Sequence, residues 1–350
     1  MVFDSHMHLT RKVNFDYETN TRMGLGIPED TDIDQLVSWW KAAGIEHAVC
    51  MGQDMERIWK NNFGEEYVLE CYKKYPDFFI PFASVEPIDA AGRFSQEKYE
   101  HLVSRVNDYG FRGVLFTPPY GQYNSNDPSM YPFYEFAQKK DIVVQYHHSA
   151  QMGPAILAPT KYAQMLNLND VIVDFPNMKI VVEHIGYPWS ENLFVLMTNH
   201  KKMYCDLAMT FARPTWLAWN MVVAKEYGVI DRVMFASDYV AHGYDYFSEN
   251  PTEDLKRWIN FVKVGLNEVC EKAGWPTFTE KEINGILYDN HLCFRCYVLL
   301  HLNTLHGFSD LQNTDVQSKV FPPECARFAD SDTGIEAKQN SKLRKIRVLH

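Results

Sequence analysis

The chain has 350 residues, of which 46% are hydrophobic and 23% are charged, and its formal net charge is -11. This length and apolar content exclude a largely disordered or fibrous chain and allow one large core or two medium ones. The acidic balance, with no long Lys/Arg stripe to offset it, argues against a surface for nucleic acid or an anionic membrane. A small-molecule substrate fits this composition better.

The N-terminus and the cysteines indicate the compartment. The chain begins with a strand-like run and a charged Asp4 instead of a basic and then apolar leader, and no stretch reaches the ~18 apolar residues of a membrane span. Seven cysteines are scattered without the spacing of a disulfide framework. The pair Cys293 and Cys296 has C-x-x-C spacing but no second pair follows, so we favour an apolar helix position over a redox or zinc role. We expect a soluble cytoplasmic protein with no membrane partner.

Short apolar strands alternate with helices from the N-terminus onwards. The strands are predicted at 2–8, 46–51, 79–85, 112–116, 142–147, 179–183, 203–208 and 232–236. The helices are predicted at 33–40, 64–74, 96–109, 131–139, 161–175, 190–200, 215–227 and 252–272, with loops at 11–30 and 117–128. Thr31 or Asp32 caps the first helix.

Eight such strand and helix units over about 270 residues predict an α/β fold, a (β/α)8 TIM barrel. The alternative is a doubly wound open sheet, which usually binds its ligand through a glycine-rich turn after the first strand. Here the first strand ends in His6-Met7-His8 and no G-x-G-x-x-G follows. We expect a barrel domain over 1–298 and an irregular C-terminal extension over 299–350, where Pro, Gly, Ser and Asn are frequent and no helical or strand period is visible.

Metal-binding side chains stand at four predicted strand ends. His6 and His8 are two residues apart and therefore face the same side of a strand, although such a pair also occurs in loops and cores. His147, His184 and Asp238 end or follow three later strands. The carboxyl ends of barrel strands meet at one rim, so these groups predict a site for a divalent ion.

The motifs around these residues resemble the amidohydrolase superfamily, and more closely its amidohydrolase-2 branch, which contains the aminocarboxymuconate-semialdehyde decarboxylase-like enzymes. The resemblance spans roughly 2–295 and is carried by 4–8, 143–147, 175–189 and 234–239. It implies a mononuclear site with His6, His8, His147 and Asp238 as ligands and with His184 beside the ion. Relatives with two metals often bridge them through a lysine on the fourth strand, and 112–117 contains no lysine, so we expect one ion, zinc or else manganese.

The chemistry of such a site supports these roles. An ion held by three imidazoles and one carboxylate lowers the pKa of a bound water towards neutrality. Asp238 can take the proton of that water and deliver it to the leaving group, and His184 can stabilise the developing oxyanion. We therefore predict a hydrolase acting on a small organic acid, lactone or acyl substrate. The alternative is a non-oxidative decarboxylase of an aromatic or muconate-like acid, and a barrel that binds without turnover is disfavoured because every position is filled.

Two assignments of site residues have an alternative interpretation. His147 and His148 cannot both face the barrel interior, and we favour His147 because it shares the face of Gln145, which leaves His148 as an outward or loop histidine. Substrate contacts are predicted for Arg213, Tyr120 and Trp189, although packing or an exposed surface is an equal alternative for each. A homodimer is left open.

Overall fold

The computed structural model describes residues 1–150, 156–244 and 246–291. Eight parallel strands form one sheet, and each strand pairs with the next along the chain. They are β1 (Val2–His8), β2 (Ile45–Met51), β3 (Phe79–Ser84), β4 (Gly113–Phe116), β5 (Val143–Tyr146), β6 (Lys179–Val182), β7 (Met203–Asp206) and β8 (Val233–Met234).

Hydrogen bonds close the sheet on itself. Ser5 N–H donates to Phe235 O at 3.1 Å, and His8 N–H donates to Tyr239 O at 2.7 Å. In return Asp238 N–H donates to His6 O at 2.8 Å, so β1 is joined to the segment that follows β8. The predicted (β/α)8 barrel is confirmed, and the doubly wound open sheet is wrong because an open sheet has two free edges.

Apolar side chains fill the barrel and coat its outside. Phe3, Phe82, Val181 and other side chains of alternating strand positions form the inner cluster. A larger cluster lies between strands and helices, with Trp40 fully buried in it. Strands buried on both faces explain why their sequences are continuously apolar.

The helices lie between and after the strands. They are Tyr17–Met23, Ile33–Ala42, Glu56–Trp59, Glu65–Lys74, Gln96–Tyr109, Pro118–Gly121, Tyr131–Lys140, Asn167–Asp174, Ser190–Asn199, Pro214–Glu226, Pro251–Asn260, Leu266–Ala273 and Glu280–Leu287. Asp32 caps the second of these, accepting from Asp34 N–H and Gln35 N–H. The predicted helix 252–272 is interrupted by a π-helical turn, Phe261–Gly265, and the helix predicted at 161–175 begins only at Asn167.

Several elements were not predicted, among them the short helices Glu56–Trp59 and Pro118–Gly121, the second of which lies in the loop expected at 117–128. The loop expected at 11–30 contains the helix Tyr17–Met23, which Asp16 caps, and the chain after β2 folds into an antiparallel hairpin, Gln53–Met55 with Asn61–Phe63. The helix Glu280–Leu287 begins with a capping box in which Thr279 and Glu282 bond each other's backbone, a signal readable in the sequence. The helix Tyr17–Met23 and the hairpin are short, and they border the candidate site.

Two predictions fall outside the described residues. These are the C-terminal extension at 299–350 and the pair Cys293 and Cys296, so the domain boundary at 298 stays a prediction. Within the described residues, none of the helices has the length and apolar character needed to cross a membrane.

Candidate active site

Three predicted ligands converge at the carboxyl end of the barrel. His6 Nε2 lies 3.2 Å from His8 Nε2. Asp238 Oδ1 lies 3.3 Å from His6 Nε2 and 3.5 Å from His8 Nε2. Three donor atoms of the kind that bind divalent ions thus form a nearly equilateral triangle.

The size of this triangle fits a metal ion. Donors at about 2.1 Å from a tetrahedral ion stand about 3.4 Å apart, which matches the three separations between His6, His8 and Asp238. The other ring nitrogens face oxygens: His8 Nδ1 is 3.2 Å from Gly52 O, and His6 Nδ1 is 3.4 Å from Asp206 Oδ2. At His8 this carbonyl acceptor holds the proton on Nδ1 and leaves Nε2 for an ion, whereas His6 Nδ1 and Asp206 Oδ2 are close without meeting hydrogen-bond geometry.

A second group of side chains adjoins this triangle. Glu183 Oε1 is 3.4 Å from His6 Nε2, and Glu183 Oε2 is 3.1 Å from His147 Nδ1. His184 Nε2 lies 3.1 Å from His147 Nδ1 and 4.0 Å from Asp238 Oδ2. His6, Glu183 and His184 together could also hold an ion. The structure therefore groups His147 with Glu183 and His184, on the His6 side of the triangle.

Glu183 was missed from the sequence, and its backbone explains why. Adjacent residues of a strand face opposite sides of the sheet. If His184 faces the site, a regular strand would therefore turn the Glu183 side chain away from it. The chain instead leaves the strand at this point, because His184 has φ 57° and Ile185 has φ 43°. Positive φ at residues other than glycine is uncommon, and it lets both side chains enter the site. The signal available in the sequence was the carboxylate directly before His184.

Asp206 at the end of β7 was also missed. Its Oδ1 accepts hydrogen bonds from His184 N–H at 2.9 Å and Ala208 N–H at 3.1 Å, while its Oδ2 faces His6. Ala208 O lies 3.0 Å from His184 Nδ1. One buried carboxylate thus orients two of the predicted site residues.

The two adjacent histidines point in different directions. His147 lies in the site, and the ring of Tyr120 is 4.9 Å from its ring. His148 is fully buried outside the site, where its Nε2 is 3.1 Å from Ser125 Oγ and its ring contacts Tyr146. Gln145 shares the inward face with His147 and donates to Glu183 Oε1 at 3.0 Å.

The site contains more buried negative charge than its own side chains neutralise, so it requires a cation. Asp206 and Glu183 are almost fully buried and the Asp238 side chain is 14% exposed, yet no Lys or Arg in the described part of the chain pairs with any of the three carboxylates. Burial lowers the pKa of His6, but Glu183, Asp238 and Asp206 outweigh it and raise that pKa to about 10. Buried charges need a partner of opposite sign, so the residues present fit a divalent ion.

A cavity of about 450 Å³ opens beside His8, His147 and Asp238. The described residues lining it include Tyr120, but not Arg213 or Trp189. The Arg213 guanidinium stacks over the ring of Tyr187 at 5.0 Å, and Trp189 packs against the outer core. Tyr120 thus lines the cavity, and the predicted substrate contacts of all three residues stay predictions.

Comparisons with known proteins place the chain in a family. A sequence model described as Amidohydrolase, of the amidohydrolase-2 family, matches residues 3–290. Among curated proteins, the sequence comparison found no significant match.

Solved structures share the fold at low identity. An uncharacterized TIM-barrel protein from Bordetella bronchiseptica has a TM-score of 0.62 at 19% identity and covers 85% of this chain and 99% of its own. A probable 2-pyrone-4,6-dicarboxylic acid hydrolase from Acinetobacter baumannii has a TM-score of 0.54 at 17% identity, covering 83% and 97%. A dihydroxybenzoic acid decarboxylase from Polaromonas with bound manganese has a TM-score of 0.56 at 15% identity, covering 85% and 97%. With the family match over nearly all the described residues, the chain belongs to the amidohydrolase-2 family of metal-dependent hydrolases and decarboxylases.

Proposed function

We propose that the protein is a hydrolase that attacks a carbonyl carbon of a small substrate with a metal-activated water. The observation that carries the proposal is the triangle of His6, His8 and Asp238 donor atoms, two of whose residues, His8 and Asp238, line a cavity. Imidazole and carboxylate donors suit zinc, and manganese is the alternative because one structural neighbour contains it.

In this proposal His6, His8 and Asp238 hold one ion, and His147 is its fourth protein ligand. When bound, the ion would supply a water whose pKa is lowered towards neutrality. The free Oδ2 of Asp238 faces His184 and is placed to accept the proton of the attacking water and to pass it to the leaving group. His184 Nδ1–H donates to Ala208 O, so its Nε2 could donate to the carbonyl oxygen only in the imidazolium form, which the neighbouring Asp238 carboxylate would favour as negative charge develops there.

Decarboxylation is the second candidate, because the same side chains could protonate a carbon and the neighbours of this fold include decarboxylases. The cavity favours hydrolysis. A decarboxylase substrate carries a carboxylate, and no Lys or Arg lies among the described residues that line the cavity. The three carboxylates of the site would repel such a substrate unless the ion itself holds it.

The test compares the metal-replete protein with the same protein after treatment with a chelator. Purified full-length protein is assayed with lactones, aryl esters and aromatic acids, with product analysis and detection of CO₂. We expect about one equivalent of zinc or manganese, hydrolysis of a lactone or ester, and loss of both metal and activity on chelation. Release of CO₂ without any hydrolysis would replace the proposal with the decarboxylase, and absence of any bound transition metal would overturn both.

A reducing cytoplasmic location belongs to the same proposal. Cys50, Cys71, Cys205 and Cys270 are buried as free thiols, and disulfides are rare in reducing compartments. The homodimer stays a prediction.

A further inference from the structure

The cavity beside the ligand triangle has apolar walls. Phe15, Met23, Leu25, Met55, Leu157 and Val240 line it. A volume of about 450 Å³ is within the usual range for a small-molecule site. Methionine side chains adapt their shape to the molecule that they contact, so these walls can enclose an apolar group.

Apart from Asp238 and the two lining histidines, the polar side chains of the walls are neutral, and two of them offer N–H donors. Asn61 Oδ1 already accepts from Asp16 N–H at 2.7 Å and from Asn20 Nδ2 at 3.2 Å, so its own amide N–H groups remain for the cavity. Gln53 also lines the cavity, and its side-chain amide has no hydrogen bond within the described residues. Such donors match a carbonyl, ether or hydroxyl oxygen of an uncharged molecule.

The charge of the site disfavours an anion. No described lining residue is Lys or Arg. Asp206, Glu183 and Asp238 bring three negative charges, of which a divalent ion balances two. A carboxylate on the substrate body would therefore meet excess negative charge and apolar walls with no counter-ion.

We infer that the substrate is an uncharged ester or lactone with an apolar body, which enters this cavity with its carbonyl towards His184 and its body between Met55 and Leu25. The inference rests on the proposed function and specifies its substrate class. It separates this protein from a hydrolase of dicarboxylic acids such as the one named for a structural neighbour.

The experiment uses a pair of esters that differ in one charge. Metal-replete full-length protein is assayed with 4-nitrophenyl pentanoate and with the 4-nitrophenyl monoester of glutaric acid, which carries a carboxylate where the first has a methyl group. We expect kcat/KM for the neutral ester to exceed that for the charged one by at least about tenfold, since a buried group without its partner discriminates strongly. Equal or faster hydrolysis of the charged ester would overturn the inference and leave the hydrolase intact.

Substitutions at the cavity mouth test the cause. Leu25 is half-buried, so Leu25→Lys can keep its ammonium partly in water, and we expect it to reduce the preference for the neutral ester or reverse it. Leu25→Met is the matched control and should keep the preference. Bound metal in each variant shows that the site is folded. An unchanged ratio in Leu25→Lys would mean that wall charge does not set the preference.

Binding without turnover separates the two proposals. Calorimetry compares pentananilide with the monoanilide of glutaric acid, two amides that resemble the ester pair. Tighter binding of the neutral anilide would support the substrate class even if neither ester is hydrolysed, in which case only the hydrolase proposal fails. Tighter binding of the charged anilide would overturn the substrate class.

Discussion

Asp4 Oδ1 accepts a hydrogen bond from Ser237 N–H at 2.8 Å and so joins the two chain segments that carry the ligand triangle. The same oxygen lies 3.3 Å from His6 N, and Asp4 Oδ2 accepts from Trp40 Nε1 at 2.7 Å. Burial raises the pKa of Asp4 to about 6 although these donors oppose it. Its carboxylate ties β1 to Ser237, which lies 233 residues after Asp4 and directly before Asp238.

We predict that Asp4→Ala weakens metal binding by about 10- to 100-fold, the range typical of groups that orient a ligand without touching the ion. Competition with a chromophoric chelator measures the affinity. Trp40→Phe is the control, because it removes the donor to Oδ2 and keeps both contacts of Oδ1. Its affinity should fall less than that of Asp4→Ala, and an equal fall would show that Asp4 acts through core packing instead.

The barrel and much of its site could be predicted because they depend on local patterns. The apolar stripe of the helix Ile33–Ala42 and the alternation of Gln145 and His147 are readable from neighbouring residues, and the structure has them as expected. Glu183 could not be placed because the positive φ of His184 breaks the alternation. Arg213 was predicted from its place after a strand, but the packing of its guanidinium on Tyr187 depends on a contact between separate segments.

Metal binding and turnover should separate in two histidine variants. His8→Ala removes a corner of the triangle, so it should lose bound metal and activity together. We predict that His184→Ala keeps most of the metal and loses turnover by about 10²- to 10³-fold, because its proposed contact strengthens only as charge develops on the substrate oxygen. Metal analysis beside steady-state kinetics decides this. Equal metal loss in both variants would make His184 a ligand.

Glu183 is expected to support the ion through its charge. Glu183→Gln keeps the shape of the side chain but removes one of three buried negative charges, so we predict a fall in metal affinity of at least about tenfold. Gln145→Leu is the control, since it removes the donor to Glu183 Oε1 and keeps the carboxylate. Calorimetric titration of the apo-proteins with zinc measures both. An affinity of Glu183→Gln equal to that of the wild type would limit Glu183 to packing.

Glu86 should give the stability a dependence on pH. Burial, with repulsion from Asp54, raises the pKa of Glu86 from 4.5 to about 7, although Arg57 and Lys98 oppose the shift. A carboxyl whose pKa is higher in the folded state contributes its full stability below about pH 4.5, and this contribution is lost as the pH rises through 7.

The matching variant is Glu86→Gln, which cannot ionise. We predict that the unfolding free energy of Glu86→Gln, minus that of the wild type, increases by up to about 3 kcal/mol as the pH rises from 4 to 8. Urea unfolding of both proteins across this range measures the difference, in which the other titrating groups largely cancel. A difference that is constant with pH would show that folding does not shift the pKa of Glu86.

The adjacent histidines provide the sharpest pair of variants, since they share a strand end but have different surroundings. His147→Ala removes an imidazole that lies 3.1 Å from both His184 Nε2 and Glu183 Oε2, so we predict a loss of at least about tenfold in metal affinity. His148→Ala leaves Ser125 Oγ without its buried partner and opens a cavity outside the site, so it should cost about 1–3 kcal/mol of stability and keep the metal. Chelator competition and urea unfolding of both variants give the two readouts. The opposite pattern, with metal lost only in His148→Ala, would require β5 to be shifted by one residue, with Tyr146 inside the barrel in place of Gln145.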